Sequence, residues 1–282
     1  MGFRSPEIKV TKPHGTTRFA FLGGSTTFCQ EVTNSEYVWP TVVKNVVQDN
    51  YPDRRFEHIN ASVTGFTTID SLTNLNDRVA HLEPDVIFIY HSVNDIAHNM
   101  WSLADSQGIA TLADPNPWLL KVMKISVLAD LVYKNLLLVK INKKESNDTL
   151  KAKYDDEYMV SRFRKSLNEL VERALEVSPY VVIPTFTNRL RADQSPEQRA
   201  ISAELYHHTL LYFKTEDVIT ALESYNNVIR EMAYSDNVIV MDTELALEGT
   251  SDNFVDSVHF TDAGSKRFGV AVANFLVQSK II

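Results

Sequence analysis

Five short runs of β-branched and aromatic residues punctuate the chain: Arg18 to Leu22, Phe56 to Val63, Val86 to His91, Tyr180 to Phe186 and Val238 to Met241. Each gives way to turn residues or to a segment whose apolar positions recur three and four apart, the pattern of a strand followed by a helix. The clearest helical stripe lies in Glu216 to Tyr234, where Val218, Ile219, Leu222, Tyr225, Ile229 and Met232 share one face. Glu36 to Gln48, Asp70 to Leu82, Tyr158 to Val177 and Asp262 to Gln278 carry similar spacing. Strands alternating with helices predict an α/β fold with a parallel sheet covered on both faces. No fixed period recurs, so a solenoid is not expected.

One segment breaks the alternation. Residues 97–156, between the third and fourth strands, hold the turn Asp114-Pro-Asn-Pro117, the apolar run Trp118 to Val139 and a polar stretch from Lys140 to Asp156. Lys121, Lys124, Asp130, Lys134 and Asn135 interrupt the apolar run, so it does not read as a membrane span. The expectation is a helical insertion within a single domain of residues 1–282, either packed on it or serving as a lid.

Hydrophobic residues make up 44% of the 282 positions, enough for a packed core, and the formal net charge of -8 gives no basic footprint for nucleic acid. The single cysteine, Cys29, cannot form an internal disulfide; one helical turn beyond Ser25, it is expected to be buried beside the site rather than reactive. The first residues lack the order of a signal peptide, and Pro6 stands where a myristoylation signal after Gly2 needs Ser or Thr. A cytoplasmic enzyme fits; so does a soluble domain whose N-terminal signal or anchor was trimmed.

The candidate chemistry sits at strand ends. Ser25 follows the first strand and Gly23-Gly24, where an open α/β sheet presents its ligand-binding edge. Asp256 and His259 share the loop Phe254 to Thr261, ahead of the last helical segment. A serine hydroxyl needs a base within reach and donors for the oxyanion that its attack creates. Gly65, in Asn60 to Thr68, can bring a backbone amide close to a ligand, and the amide of Asn94, in Tyr90 to Asp95, can donate without titrating. The bland readings are a turn glycine, a helix N-cap and a packing histidine. No metal is expected: His207 and His208 are adjacent and diverge on a helix, and zinc-type His or Cys spacing is missing. No Gly-rich phosphate loop follows a strand, so no nucleotide cofactor is expected either. Tyr206, Tyr212, Phe213 and Tyr225 read as core rather than as a sugar-stacking surface. Thr27 stands where the Gly-x-Ser-x-Gly elbow of the α/β-hydrolases has its last glycine, so that elbow is absent.

Gly23-Gly-Ser-Thr-Thr27, Asn60 to Thr68 with Gly65, Ser92-Val-Asn-Asp95 and Asp256-Ser-Val-His259 together resemble the four ordered blocks of the SGNH hydrolases, also called GDSL-type esterases. The resemblance implies a flavodoxin-like, three-layer α/β/α fold with a five-stranded parallel sheet. It implies Ser25 as nucleophile, His259 as base, Asp256 as its orienting acid, and an oxyanion hole of the Ser25 amide, Gly65 and Asn94. Two positions depart from the family pattern: Gly24 replaces the name-giving aspartate, and Ser92, preceded by His91, replaces a glycine, where added bulk is expected to narrow the acyl pocket. The expected activity is hydrolysis of a short acyl ester, acetyl above all, on a glycan or other small polar carrier. The alternatives are an O-acyltransferase using the same site, a lipid esterase, and a non-catalytic glycan-binding module. The oligomeric state is left open by the sequence.

Overall fold

The structure, a computed structural model, describes residues 2–109, 151–206, 209, 212–279 and 281–282. Five strands, β1 (Thr16–Gly23), β2 (Arg55–Asn60), β3 (Val86–Tyr90), β4 (Tyr180–Pro184) and β5 (Val238–Met241), form one parallel sheet in the order β2-β1-β3-β4-β5. β3, at the centre of the sheet, is a continuous apolar run because both its faces are covered; every residue of it is buried. The helices are α1 (Ser25–Phe28), α2 (Trp39–Asn50), α3 (Thr68–Asn74), α4 (Val93–Ser106), α5 (Asp156–Val177), α6 (Pro196–Ser202), α7 (Thr215–Arg230) and α8 (Asp262–Ser279). α2 and α8 pack together over one face, and α3, α4, α5 and α7 pack together over the other. This is the three-layer α/β/α arrangement expected from the alternation and from the resemblance.

The strand order places the site. The chain leaves β1 for β2 on one side and then crosses to β3 on the other, so the strand order reverses between β1 and β3 and opens a crevice at their carboxyl ends. Beneath that crevice Phe21 stacks on Phe88 with ring centroids 4.3 Å apart, and Trp39 meets Phe21, Tyr90 and Phe268 edge-on, which ties the layer of α2 and α8 to the sheet. Arg18 in β1 is fully buried, its guanidinium bonded to Glu57 at 2.6 Å and to the carbonyls of Lys9, Val10 and Leu82. With its donors used in this way, the charge is tolerated inside the sheet.

The single helix predicted over Asp70 to Leu82 is three pieces: α3, a wider π-type turn at Leu75–Val79 and a 3-10 turn at Ala80–Leu82. Leu75, Val79 and Leu82 remain buried throughout, so the apolar stripe survives the change of pitch. The predicted insertion begins inside α4, which continues to Ser106, and its apolar run Trp118 to Val139 lies outside the described residues. Among the described residues, no helix is long and apolar enough to cross a membrane.

Candidate active site

Ser25 opens α1 directly after Gly23 and Gly24. Gly24 has φ -91° and ψ -151°, extended backbone that any residue adopts, so a left-handed bend is not what requires glycine here. Close approach is. A Cβ on Gly23 would lie 2.2 Å from Thr27 Oγ1 and 2.9 Å from the Tyr90 carbonyl; one on Gly24 would lie 2.5 Å from Asn94 Nδ2 and 3.2 Å from the Phe66 carbonyl. The two glycines are thus explained by the neighbours that crowd them.

A four-residue helix leaves its last carbonyls to outside donors. Trp39 Nε1 donates to Thr26 O at 3.2 Å and Asn60 Nδ2 to Thr27 O at 2.9 Å. The Arg4 guanidinium donates to the carbonyls of Phe28, Cys29 and Val32 at 3.0, 2.5 and 2.8 Å. Cys29 ends the helix in the left-handed region at φ 58°, its N–H donating to Ser25 O at 2.7 Å. Its thiol is buried, and burial pushes its pKa up to about 11, which leaves it a packing residue.

The loop of Asp256 and His259 is closed by an antiparallel bridge between Phe254 and Phe260, whose rings lie 5.5 Å apart. Asp256 Oδ1 accepts the N–H groups of Val258 and His259 at 2.9 and 2.8 Å, while Oδ2 lies 2.6 Å from His259 Nδ1. The opposite nitrogen, Nε2, lies 2.7 Å from Ser25 Oγ. A carboxylate on Nδ1 assigns the ring proton there and leaves the Nε2 lone pair toward the hydroxyl. Burial acts to raise the Asp256 carboxyl, but the hydrogen bonds from the His259 ring and from the two amides outweigh it and hold its pKa below the usual carboxylate value. Ser25 is 7% exposed.

Gly65 sits in a turn closed by Phe66 N–H to Val63 O at 3.1 Å, with φ +86°. No atom lies within 4 Å of a Cβ placed there, so positive φ, rather than crowding, favours glycine. Asn94, in the first turn of α4, donates from Nδ2 to Phe66 O at 2.9 Å. The turns after β1, β2 and β3 therefore meet around Gly24, Phe66 and Asn94.

Behind this junction is a buried polar chain that sequence reasoning missed. Asp95 Oδ1 accepts from the Thr68 N–H at 3.0 Å and from its hydroxyl at 2.7 Å, which ties the start of α4 to the Gly65 segment. His91 Nε2 lies 2.7 Å from Ser71 Oγ, and its Nδ1 lies 3.8 Å from Asp95 Oδ2. Burial pushes Asp95 up to about 6 and His91 down to about 3, so at neutral pH the histidine is uncharged and the contact is not an ion pair. His91, which precedes Ser92, is bonded into this chain. The signal for it was faint: two polar residues, His91 and Asp95, next to a fully apolar strand.

Tyr206, Tyr212, Phe213 and Tyr225 are buried, and Tyr225 stacks on Phe163 at 4.0 Å, so they belong to the core as expected. His207 and His208 lie outside the described residues. Among the described residues, no group of His, Cys, Asp and Glu could hold a metal ion.

Several solved structures share this architecture. Axe2, an acetylxylan esterase from Geobacillus stearothermophilus, is 16% identical with a TM-score of 0.54, the match covering 94% of each chain. LAE5, described as an alpha/beta hydrolase enzyme from the metagenome of Lake Arreo, is 14% identical with a TM-score of 0.54, over 93% of this chain and 94% of that one. The lipase Lip_vut3 from a goat rumen metagenome is 14% identical with a TM-score of 0.57, over 92% and 96%. At such identities these likenesses speak for the fold alone. No curated protein matches the chain by sequence. The family model described as GDSL-like Lipase/Acylhydrolase matches residues 21–267, a span that takes in the turn of Ser25, the junction at Gly65 and Asn94, and the loop of Asp256 and His259. The chain belongs to the GDSL-like lipase/acylhydrolase family and is a carboxylic ester hydrolase.

Proposed function

We propose that the chain removes short acyl groups, acetyl above all, from a carbohydrate or other polar carrier through a covalent acyl-enzyme. Ser25 Oγ attacks the ester carbonyl while His259 Nε2 takes its proton, and Asp256 holds the ring and stabilises the imidazolium. The amides of Ser25 and Gly65 and the Asn94 side chain receive the oxyanion. His259 then returns the proton to the departing alcohol, and a water molecule, activated by the same nitrogen, releases the acid. The observation that carries this reading is the 2.7 Å contact between His259 Nε2 and Ser25 Oγ, with Nδ1 already engaged by Asp256. The acetyl and carbohydrate parts draw support from the acetylxylan esterase among the structural relatives and from a site framed by polar turns.

A fluorophosphonate probe and a series of p-nitrophenyl esters test the proposal. The wild-type protein is expected to take the label, Ser25→Ala to lose it, and turnover to fall from acetate to butyrate to octanoate. A folded wild-type chain that takes no label sinks the mechanism; octanoate turned over faster than acetate sinks the short-acyl assignment.

A further inference from the structure

Ser25 and His259 belong to opposite ends of the chain, so the 2.7 Å between Oγ and Nε2 is set by whatever braces their two turns against each other. Tyr90 reaches both. It is the last residue of β3, paired in register with Gly23 at the end of β1, two residues before Ser25. Its ring centroid lies 5.8 Å from that of Trp39, and Trp39 Nε1 donates to the carbonyl of Thr26, the residue after Ser25. On the other side the Tyr90 ring lies 5.2 Å from Phe268, which stacks at 5.2 Å on Phe260, the residue after His259.

The hydroxyl adds a directional tie. Tyr90 is 1% exposed; its oxygen accepts the Thr187 N–H at 3.1 Å and donates, at 3.5 Å, to the Thr187 carbonyl. Burial holds the phenol above the usual tyrosine pKa, so it keeps the proton that it donates. One residue earlier, the buried Asn226 amide on α7 accepts the Phe186 N–H at 2.7 Å and donates to the Phe186 carbonyl at 3.0 Å. At Phe186 and Thr187 the backbone is thus paired with side chains from α7 and β3 rather than with a neighbouring strand. Two residues on, the Arg189 N–H donates to Ser257 O at 2.8 Å, inside the loop that carries Asp256 and His259. A buried N–H stripped of its acceptor is costly, so without the hydroxyl Thr187 shifts toward another partner and carries Arg189 with it. A shift of about 1 Å at that loop takes the 2.7 Å contact beyond hydrogen-bond reach.

We infer that Tyr90 is a positioning residue for the reaction, bracing the loop of His259 against the turn of Ser25. The inference rests on the acyl-enzyme reading, and the test keeps the two apart. Tyr90→Phe preserves the ring and removes only the hydroxyl. In folded protein, kcat on p-nitrophenyl acetate is expected to fall about 10-fold, part of the roughly 100-fold that a misplacement of about 1 Å costs. On the His259→Ala background, where residual turnover comes from the oxyanion hole and binding, the same change is expected to cost less than about 2-fold, because the group being positioned is gone. A role in stability alone lowers both backgrounds equally, and that outcome overturns the inference, as does wild-type kcat in folded Tyr90→Phe. Asn226→Ala, which releases Phe186 and leaves Tyr90 intact, is expected to show the same dependence on His259 and carries the test should Tyr90→Phe not fold. Fluorophosphonate labelling of the wild type separates the readings: an unlabelled protein sinks the acyl-enzyme and the brace with it. A labelled wild type beside an unaffected Tyr90→Phe sinks the brace alone.

Discussion

Replacing Gly24 by alanine adds one methyl group where three turns converge. The backbone there tolerates it, since φ -91° and ψ -151° are open to any L residue; at a compatible position the change typically stabilises a fold by about 0.4–1 kcal/mol through the unfolded chain. The space does not tolerate it. The new carbon would lie 2.5 Å from Asn94 Nδ2, whereas non-bonded heavy atoms rest at about 3.5 Å. Asn94 must therefore withdraw by about 1 Å, and the 2.9 Å bond from its Nδ2 to Phe66 O goes with it. If Asn94 is an oxyanion donor, its displacement is expected to lower turnover about 100- to 1000-fold, or about 3–4 kcal/mol of barrier. The assay is kcat on p-nitrophenyl acetate for Gly24→Ala, Asn94→Ala and the double variant, with melting curves to confirm folding. Because both changes remove one donor, the double variant should be little slower than Asn94→Ala. Wild-type turnover in Gly24→Ala, or a double variant whose loss is the full product of the two, would refute the reasoning. Gly24→Asp, which restores the aspartate after which the family is named, is expected to be at least as damaging.

Other expectations follow from the same geometry. Asp256→Asn can keep the amides of Val258 and His259 on its oxygen, but it then turns an NH₂ toward His259 Nδ1 and forces the other tautomer; kcat should fall about 10,000-fold in a folded protein, and a loss under 10-fold would remove Asp256 from its role. Arg4→Ala strips three carbonyls at the end of the serine helix of their donor and should lower stability by about 2 kcal/mol in urea unfolding, with a slower fluorophosphonate reaction; unchanged stability and labelling would refute the clamp. Asp95, at about 6 when folded, binds its proton more tightly than an unfolded aspartate, so its contribution to stability is lost as pH rises from about 4 to about 6. His91 and His58, at about 3 and about 4, act oppositely, because the unfolded chain takes up protons first as pH falls below the usual histidine value. Asp95→Asn should therefore lose stability more steeply than wild type on acidification from pH 6 to 4, and parallel stability curves would contradict the assignment.

The central strands were legible because burial on both faces leaves apolar runs at Phe19 to Leu22, Val86 to Tyr90 and Val181 to Ile183. The second was read to Val63, past the end of β2 at Asn60, and the excess has a cause: Ala61 and Val63 still donate to the carbonyls of Phe21 and Gly23 in β1. Ser25, Asp256, His259, Gly65 and Asn94 were legible as candidates because each falls at a strand end or in the loop before the last helix. The physical reasons were less legible. Gly24 is explained by Asn94, distant in sequence, and Gly65 by a dihedral angle, so neither cause can be told from the letter G. Arg4 gave no signal at all, since its partners lie 24 to 28 residues away and are carbonyl oxygens, which every residue has. Asp95 was hidden by its neighbour: in Asn94-Asp95 the amide drew the functional reading, while the carboxylate holds the turns together.

The sequence separation of 234 between Ser25 and His259 carries a consequence for synthesis. On the proposed mechanism, the nucleophilic hydroxyl leaves the ribosome with the first strand, whereas its base emerges only after the fifth strand and just ahead of the closing helix. A nascent, stalled or C-terminally clipped chain thus exposes a serine no more reactive than any in solution. Esterase activity in a cell extract would accordingly count finished molecules, which makes the reaction itself a reporter of complete folding.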